Sequence, residues 1–561
     1  MSEQFDLLIR GGTLVDGTGG PARTGDVGIR GGRIAALGDV RGSAPRTIEA
    51  EGMVVAPGFV DIHTHYDAQI FWDRLLTISP WHGVTTVVMG NCGFGIAPTR
   101  AAHRELILKT LENVEGMSLD ALVAGVGSDW PFETFPQYLD AIERRGSAIN
   151  VGAMIGHTPV RLFVMGEEST EREATDDEIA RMRAIVREGL DAGALGFATS
   201  KSPTHVGYAG RPVPSRAATL EEIATLASCL GDVGRGVMQA TIGRGFFLDE
   251  LAAIQRRTSR PVTWTALLAG MLGPDGHRWV LEKTARMQEE GVNVVPQVSC
   301  RPLMVEFQFK APFPFESLSF FQPVSAADRA GKARIYADPD FRRTFREHGQ
   351  GGVLAGRWED TTISDAPSEP TLHERNLAEV ARERGLHPVD LALDLALASD
   401  LDARFRMAVT NTDETIVAEL LQDPTVVLGL SDAGAHASQL CDASFSTHLL
   451  GHWVREKKTL SLEAAVRLLT SRGADLFGLE GRGRLAPGAI ADVTLFDPDT
   501  VGCSPLRRVN DLPAGADRLV SDATGVRAVV VGGVVIREDG HDALDAEAAL
   551  PGRLLRGGRQ A

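Results

Sequence analysis

The chain has 561 residues, a formal net charge of -17, 43% hydrophobic and 23% charged residues, and 61 glycines. That length exceeds one ordinary core, and the balance describes a soluble, loop-rich α/β enzyme rather than a fibre or a disordered chain. The negative charge argues against nucleic acid or an anionic membrane surface as a general partner, since either would be repelled.

The opening residues, MSEQFDLLIRGG, carry acidic side chains and no apolar core ending in a small-residue cleavage site, so no signal peptide is expected. No run reaches the ~20 apolar residues of a spanning helix, and no membrane segment is expected either. Cys92, Cys229, Cys300, Cys441 and Cys503 are odd in number and form no CxxC pair, which fits a reducing cytoplasm.

Near the N-terminus, FDLLIRGGTLVDG and DVGIRGGRIAAL read as short apolar strands broken by Gly-Gly turns. ADVTLFD (491–497) and VRAVVVGGVVI (526–536) repeat that grammar near the C-terminus. Neither end has enough strands to stand alone, so one small β-sandwich is expected from residues 1–57 and 481–561 together. Residues 58–480 then form an insertion whose ends lie close together.

That insertion alternates. Candidate strands are MVVAPGFVDI, VTTVVMG, INVGAMIG, ALGFATS, GVMQAT, PVTWTALL, VNVVPQV and TVVLGLSD, with helical patterns such as RWVLEKTARMQEEG between most of them. The pattern predicts a (β/α)8 TIM-like barrel, which places its active site at the C-terminal ends of the strands. FRMAV (405–409) is a ninth candidate competing for a place in the barrel. Residues 301–365, rich in Phe and Pro, break the rhythm and read as an irregular lid over the barrel mouth.

Three segments carry the chemistry. In GFVDIHTHYD, His63 and His65 are one residue apart at the end of the first barrel strand, where alternation aims both imidazoles at one point. An isolated HxH is a pair of satisfied polar residues more often than a metal site; at a barrel rim, metal ligation is the better reading. GNCGFGIAP follows the second strand, and Cys92 stands among small residues where a thiolate could reach the same metal or lie as a small buried hydrophobe. GLSDAGAHA follows the last strand and puts Asp432 at the rim beside His436; alone, Asp432 could equally cap a helix.

With these segments, GHTPVR, GALGFATS, LGHWVREKKTLSLEAAVRLLTSRGADLFGL and GRLAPGAIADVTLFDPDTV complete a set that resembles the amidohydrolase superfamily, and within it the N-acyl-D-amino-acid deacylases. The resemblance covers most of the chain. It implies a metal-bearing barrel with a split β-sandwich. It also implies His63, His65 and Asp432 on one metal position, Cys92 contributing or bridging, and Asp432 as catalytic proton shuttle. The histidines that the family carries on strands five and six are missing, since none lies between His205 and His277. The lysine that follows the strand-six histidine in the family is missing too, and Leu268 stands near its place.

The fourth strand leads into SKSPTHVGYAGRPVPSR, where Lys201, His205, Tyr208 and Arg211 form a cluster suited to an anionic substrate group, or else a solvated basic loop. Lys201 also stands where related amidohydrolases sometimes carry a carbamylated lysine, a reading the missing ligands disfavour. His157 and His436 complete the substrate-binding candidates and are the reserve proton carriers.

The expectation is a metal-dependent amidohydrolase with one principal metal, zinc (Zn²⁺) by its mixed donor set, with Fe²⁺ or Mn²⁺ open. The expected substrate is an N-acyl amino acid or related amide. The rival readings are a cyclic amide, a lactone or a non-hydrolytic reaction on the same barrel, and a catalytically degenerate binding protein. A homo-oligomer is left open.

Overall fold

A computed structural model describes residues 3–560 except 317, 350–356, 436 and 438–440. Its centre is an eight-stranded parallel sheet. The strands are β1 (Phe59–Asp61), β2 (Val84–Met89), β3 (Asn150–Gly156), β4 (Gly196–Ser200), β5 (Val237–Thr241), β6 (Val262–Thr265), β7 (Val294–Val298) and β8 (Val427–Leu428), neighbours in chain order. The sheet curls until its ends meet: Thr64, past β1, bridges Ala433, past β8, and the Asp432 N–H donates to the His63 carbonyl at 3.2 Å. The strands are buried on both faces, which is why they read as continuous apolar runs. Helices α1 (Arg104–Glu115), α2 (His157–Met165), α3 (Asp176–Asp191), α4 (Leu220–Val233), α5 (Leu248–Thr258) and α6 (Gly276–Glu289) pack outside, giving a TIM-like barrel.

The run MVVAPGFVDI, read above as one strand, serves two sheets. Val54–Pro57 pairs with Val493–Phe496, whereas Phe59–Asp61 opens the barrel. Gly58 makes the crossing, and a Cβ there would lie 2.1 Å from the Thr85 hydroxyl. The outer sheet has nine strands and draws them from both ends of the chain, Leu7–Leu14 to Val54–Pro57 and Val493–Phe496 to His541–Asp542. Ile9, Val27, Val55, Val493, Leu495 and Val530 fill its own core.

FRMAV does not enter the barrel. Arg404–Thr410 lies between Leu303–Gln308 and Thr361–Asp365 in a four-stranded antiparallel sheet inserted between β7 and β8. The Phe-rich run opens with a strand, Leu303–Gln308, and continues through short turns and helical segments. Phe309, Phe315, Phe321, Phe345 and Phe405 pack with Trp358 into a separate aromatic core, and the Tyr336 hydroxyl donates to the Phe309 carbonyl at 2.8 Å. These Phe side chains turn inward because burying each large ring stabilises the insertion by about 1.5–3 kcal/mol. No helix among the described residues is long and apolar enough to cross a membrane.

Candidate metal centre

His63 and His65 leave the end of β1 with ring centroids 5.3 Å apart. The His63 ring is oriented from behind: Nδ1 lies 2.8 Å from the Gln297 amide oxygen on β7, which assigns the proton to Nδ1 and turns Nε2 toward the barrel mouth. There Nε2 lies 3.5 Å from the Cys92 thiol and 3.2 Å from the Asp432 carboxylate, and His65 Nε2 is 3.6 Å from the same carboxylate oxygen. One ligand atom each from His63, His65 and Cys92 fall within 4.8 Å of one another.

Local backbone explains why Cys92 arrives. Its φ is +56°, between Gly90 at +84° and Gly93 at +75°. A Cβ on Gly90 would sit 2.3 Å from the Met154 carbonyl, so the turn is pressed onto β3 as only glycine allows. The Asn91 side-chain amide donates to the Val88 carbonyl at 2.9 Å, and the Cys92 N–H donates to the Gln239 amide oxygen at 2.7 Å. Asp432 is likewise held in the left-handed region, φ +46°, and the Ser431 hydroxyl donates to the His63 carbonyl at 3.0 Å. Strand one and strand eight therefore present their ligands as a unit.

The charge of each group here is set by its neighbours. Burial works against the Cys92 thiolate, but the facing His63 and His65 outweigh it and bring the thiol down to about 7. Burial also disfavours a charged His63, yet Cys92 and Asp432 hold it above its ordinary value. Beneath the pair, burial pushes the Asp61 carboxyl up to about 7. Two imidazole nitrogens, a thiol and a carboxylate converging at these distances form a donor set that fits Zn²⁺.

A cavity of about 210 Å³ opens on this group. Its other walls include Thr241, Thr265, Leu268, Ser299, Leu303 and His205. On strands five and six the positions that face the cavity carry Thr241 and Thr265, with the Thr265 hydroxyl donating to the Thr241 hydroxyl at 3.2 Å. Those strands thus contribute hydrogen bonds where a second metal position would need imidazoles.

The remaining expected substrate residues do not converge. His205 faces the cavity, with Nδ1 2.7 Å from the Ser200 hydroxyl and its ring 5.0 Å from Phe94. Lys201 turns away, its ammonium donating to the carbonyls of Arg216 at 2.6 Å and Ala218 at 2.7 Å. An amine tied to two carbonyls is not placed to bridge metals as a carbamate or to meet a substrate anion. Tyr208 and Arg211 line a neighbouring cavity, the first beneath the Lys109 ammonium and the second 3.5 Å from Glu171. His157 is fully buried and both its nitrogens are engaged, Nδ1 with Thr199 at 2.8 Å and Nε2 with Glu222 at 2.9 Å. It belongs to a buried His157–Glu222–Arg161 cluster, which leaves no free nitrogen for substrate or proton transfer. His436 lies outside the described residues.

Sequence reasoning missed Gln239 and Gln297, although each was visible as a lone amide in a buried apolar strand, VMQAT and VVPQV. A fully buried amide inside a strand needs a partner, and here the partners belong to the metal site.

Comparison with known proteins agrees with this geometry. The model of the amidohydrolase family matches residues 46–295 and 327–537. A D-aminoacylase of Alcaligenes xylosoxydans xylosoxydans is 32% identical over 541 residues, covering 96% of each chain. A solved D-aminoacylase, described as having a binuclear metal centre with one-metal activation and second-metal attenuation, superposes with a TM-score of 0.67 at 28% identity over 98% of this chain and 99% of its own. The N-acyl-D-glutamate deacylase of Bordetella bronchiseptica, solved with zinc and a phosphonate mimic of the tetrahedral intermediate, gives 0.64 at 26% identity over 99% and 100%.

Proposed function

We propose that this chain, which belongs to the amidohydrolase family, uses its His63–His65–Cys92–Asp432 centre to deacylate N-acyl-D-amino acids with one principal zinc ion. The protein is a metal-dependent hydrolase of C–N amide bonds, and its relatives deacylate N-acyl-D-amino acids. One observation carries the reading: His63 Nε2, His65 Nε2, the Cys92 thiol and Asp432 converge at the C-terminal rim of the barrel. When bound, a cation supplies Lewis acidity, which polarises a carbonyl and makes water nucleophilic near neutral pH. His63, His65 and Cys92 would hold it, with Asp432 alongside.

The chain's own residues do the rest. Asp432 accepts the proton that water loses as its oxygen bonds to the acyl carbon, and returns that proton to the amide nitrogen as the C–N bond breaks. A carboxylate and an amine leave. Gln297 keeps His63 Nε2 aimed at the reaction centre, and Gln239 holds the Cys92 backbone in place. A single metal position is supported by Thr241 and Thr265 lining the cavity where further imidazoles would be needed, and the D-aminoacylase described as activated by one metal gives a precedent.

The domain division into 1–57 with 481–561 around a barrel is supported by the nine-stranded sheet drawn from both ends. The insertion after β7 acts as a wall of the substrate site, a role supported by Leu303 lining the metal cavity. The test is a matched panel of N-acetyl-D-amino acids, their L-enantiomers and cyclic amides, run beside elemental analysis. D-selective release of acetate with about one zinc per chain is expected. Preference for cyclic amides, or two equally occupied metals, would refute it.

A further inference from the structure

A second cavity, of about 290 Å³, adjoins the metal cavity and is lined by residues the reaction does not use. Phe94 lines both cavities. So does the segment after β4: Ser202, Thr204 and His205 face the metal cavity, and Gly207 to Pro214 border the second. Helix α1 runs along both, with Val114 on the metal cavity and Thr110 on the second. Those residues are four apart, on one helix face and separated by about 6 Å of rise. A single extended ligand can therefore touch both. Together the cavities reach the ~300–1,000 Å³ typical of small-molecule sites.

The second cavity's chemistry is that of an uncharged arm. Leu106, Leu111, Leu162, Val213 and Phe94 supply an apolar floor, while Glu105, Lys109, Glu167 and Arg211 stand among the polar lining residues. Its cations are balanced: Lys109 is 2.7 Å from Glu105, and Arg211 is 3.5 Å from Glu171. Neither offers an uncompensated charge to a carboxylate.

Position in the barrel decides which half of the substrate lies there. Asp432 follows β8, and the amine that takes its proton must be beside it. The second cavity is built from segments after β2, β3 and β4, which lie two to four strands round the barrel from β8. The acyl carbon's other substituent therefore points toward it. We infer that the second cavity is an acyl-chain subsite, so that the preferred substrates carry medium-length apolar acyl groups running past Phe94, between α1 and the segment after β4. This inference rests on the deacylase reading and on Asp432 as proton carrier.

The experiment is a chain-length series on one D-amino acid, from acetyl to decanoyl, with the metal-loaded full chain. Calorimetry of acetate against octanoate provides a readout without turnover. Each added methylene should raise kcat/KM about fourfold, the ~0.8 kcal/mol of a buried CH₂, until the cavity is filled. Octanoate should bind correspondingly more tightly than acetate. Leu106→Trp, which fills the cavity, should flatten the slope, and Leu106→Ala should preserve it. A flat series with acetyl still hydrolysed would overturn the inference, as would a slope that survives Leu106→Trp. A Leu106-dependent slope appearing only when the amino-acid side chain is lengthened would also overturn it. Hydrolysis of no member would instead overturn the deacylase reading, and the subsite with it.

Discussion

Replacing Gln297 by Met isolates how the barrel aims its first histidine. Gln297 is fully buried on β7, and its amide oxygen lies 2.8 Å from His63 Nδ1. Its NH₂ group has no hydrogen-bond partner among the described residues, so removing the amide loses that one bond there. Met has similar length and no strong acceptor, and it leaves the cavity filled. The His63 Nδ1–H is then buried without a partner, a loss of roughly 1–3 kcal/mol. Because that bond fixes the tautomer and ring orientation of a ligand, metal affinity should fall by roughly 10–100-fold. The assay is a competition titration of zinc against a chelator, with denaturation of the metal-free protein measured in parallel. Gln297→Glu restores an acceptor and should recover affinity that the Met variant loses. A folded Gln297→Met protein that binds zinc as tightly as the parent would show that the amide does not orient the ligand.

Asp432→Asn keeps an oxygen near His63 and His65 but cannot carry a proton, so kcat should fall by roughly 10²–10⁴ while most metal is retained; His63→Ala should lose the metal itself. Near-parental turnover of the Asn variant would move the proton carrier elsewhere. Arg161→Met leaves the fully buried Glu222 with only His157 as ionic partner, and should destabilise the fold by about 3–5 kcal/mol in urea titrations. A change below about 1 kcal/mol would mean that the ion pair adds little beyond its burial cost. His82 lies buried between Thr447 and Ser521, and burial brings it down from 6.5 to about 3. The unfolded chain therefore takes up this proton first as pH falls. Stability contributed by neutral His82 is complete above about 6.5 and lost toward 3, at about 1.4 kcal/mol per pH unit. Stability measured across that window should lose one proton of pH dependence in His82→Asn; an unchanged slope would refute this.

The site was legible wherever ligand chemistry and strand ends coincide in a short segment. His63 with His65, Cys92 inside GNCG, and Asp432 after GLS each carry their position in neighbouring residues. Lys201, Tyr208 and Arg211 looked equally coherent as a basic cluster because they are close in sequence, yet a loop gives no period by which to aim side chains. Lys201 went to two backbone carbonyls, since a half-buried ammonium needs acceptors and those lay nearest. The Phe-rich stretch shows a related limit: composition reports that rings must be buried, without saying against what.

Local sequence by itself determined the alternation of barrel strands and helices, the pairing of His63 with His65, and the glycine-dependent turn at Cys92, because each depends on backbone period and sterics over a few residues. Only the tertiary structure decided that FRMAV pairs with Leu303–Gln308, that Gln297 lies behind His63 although 234 residues separate them, and that Cys92 is fastened by Gln239. Such contacts follow from how the sheet curls and which strands become neighbours. That is set by the summed burial of hundreds of side chains, and no single segment records it.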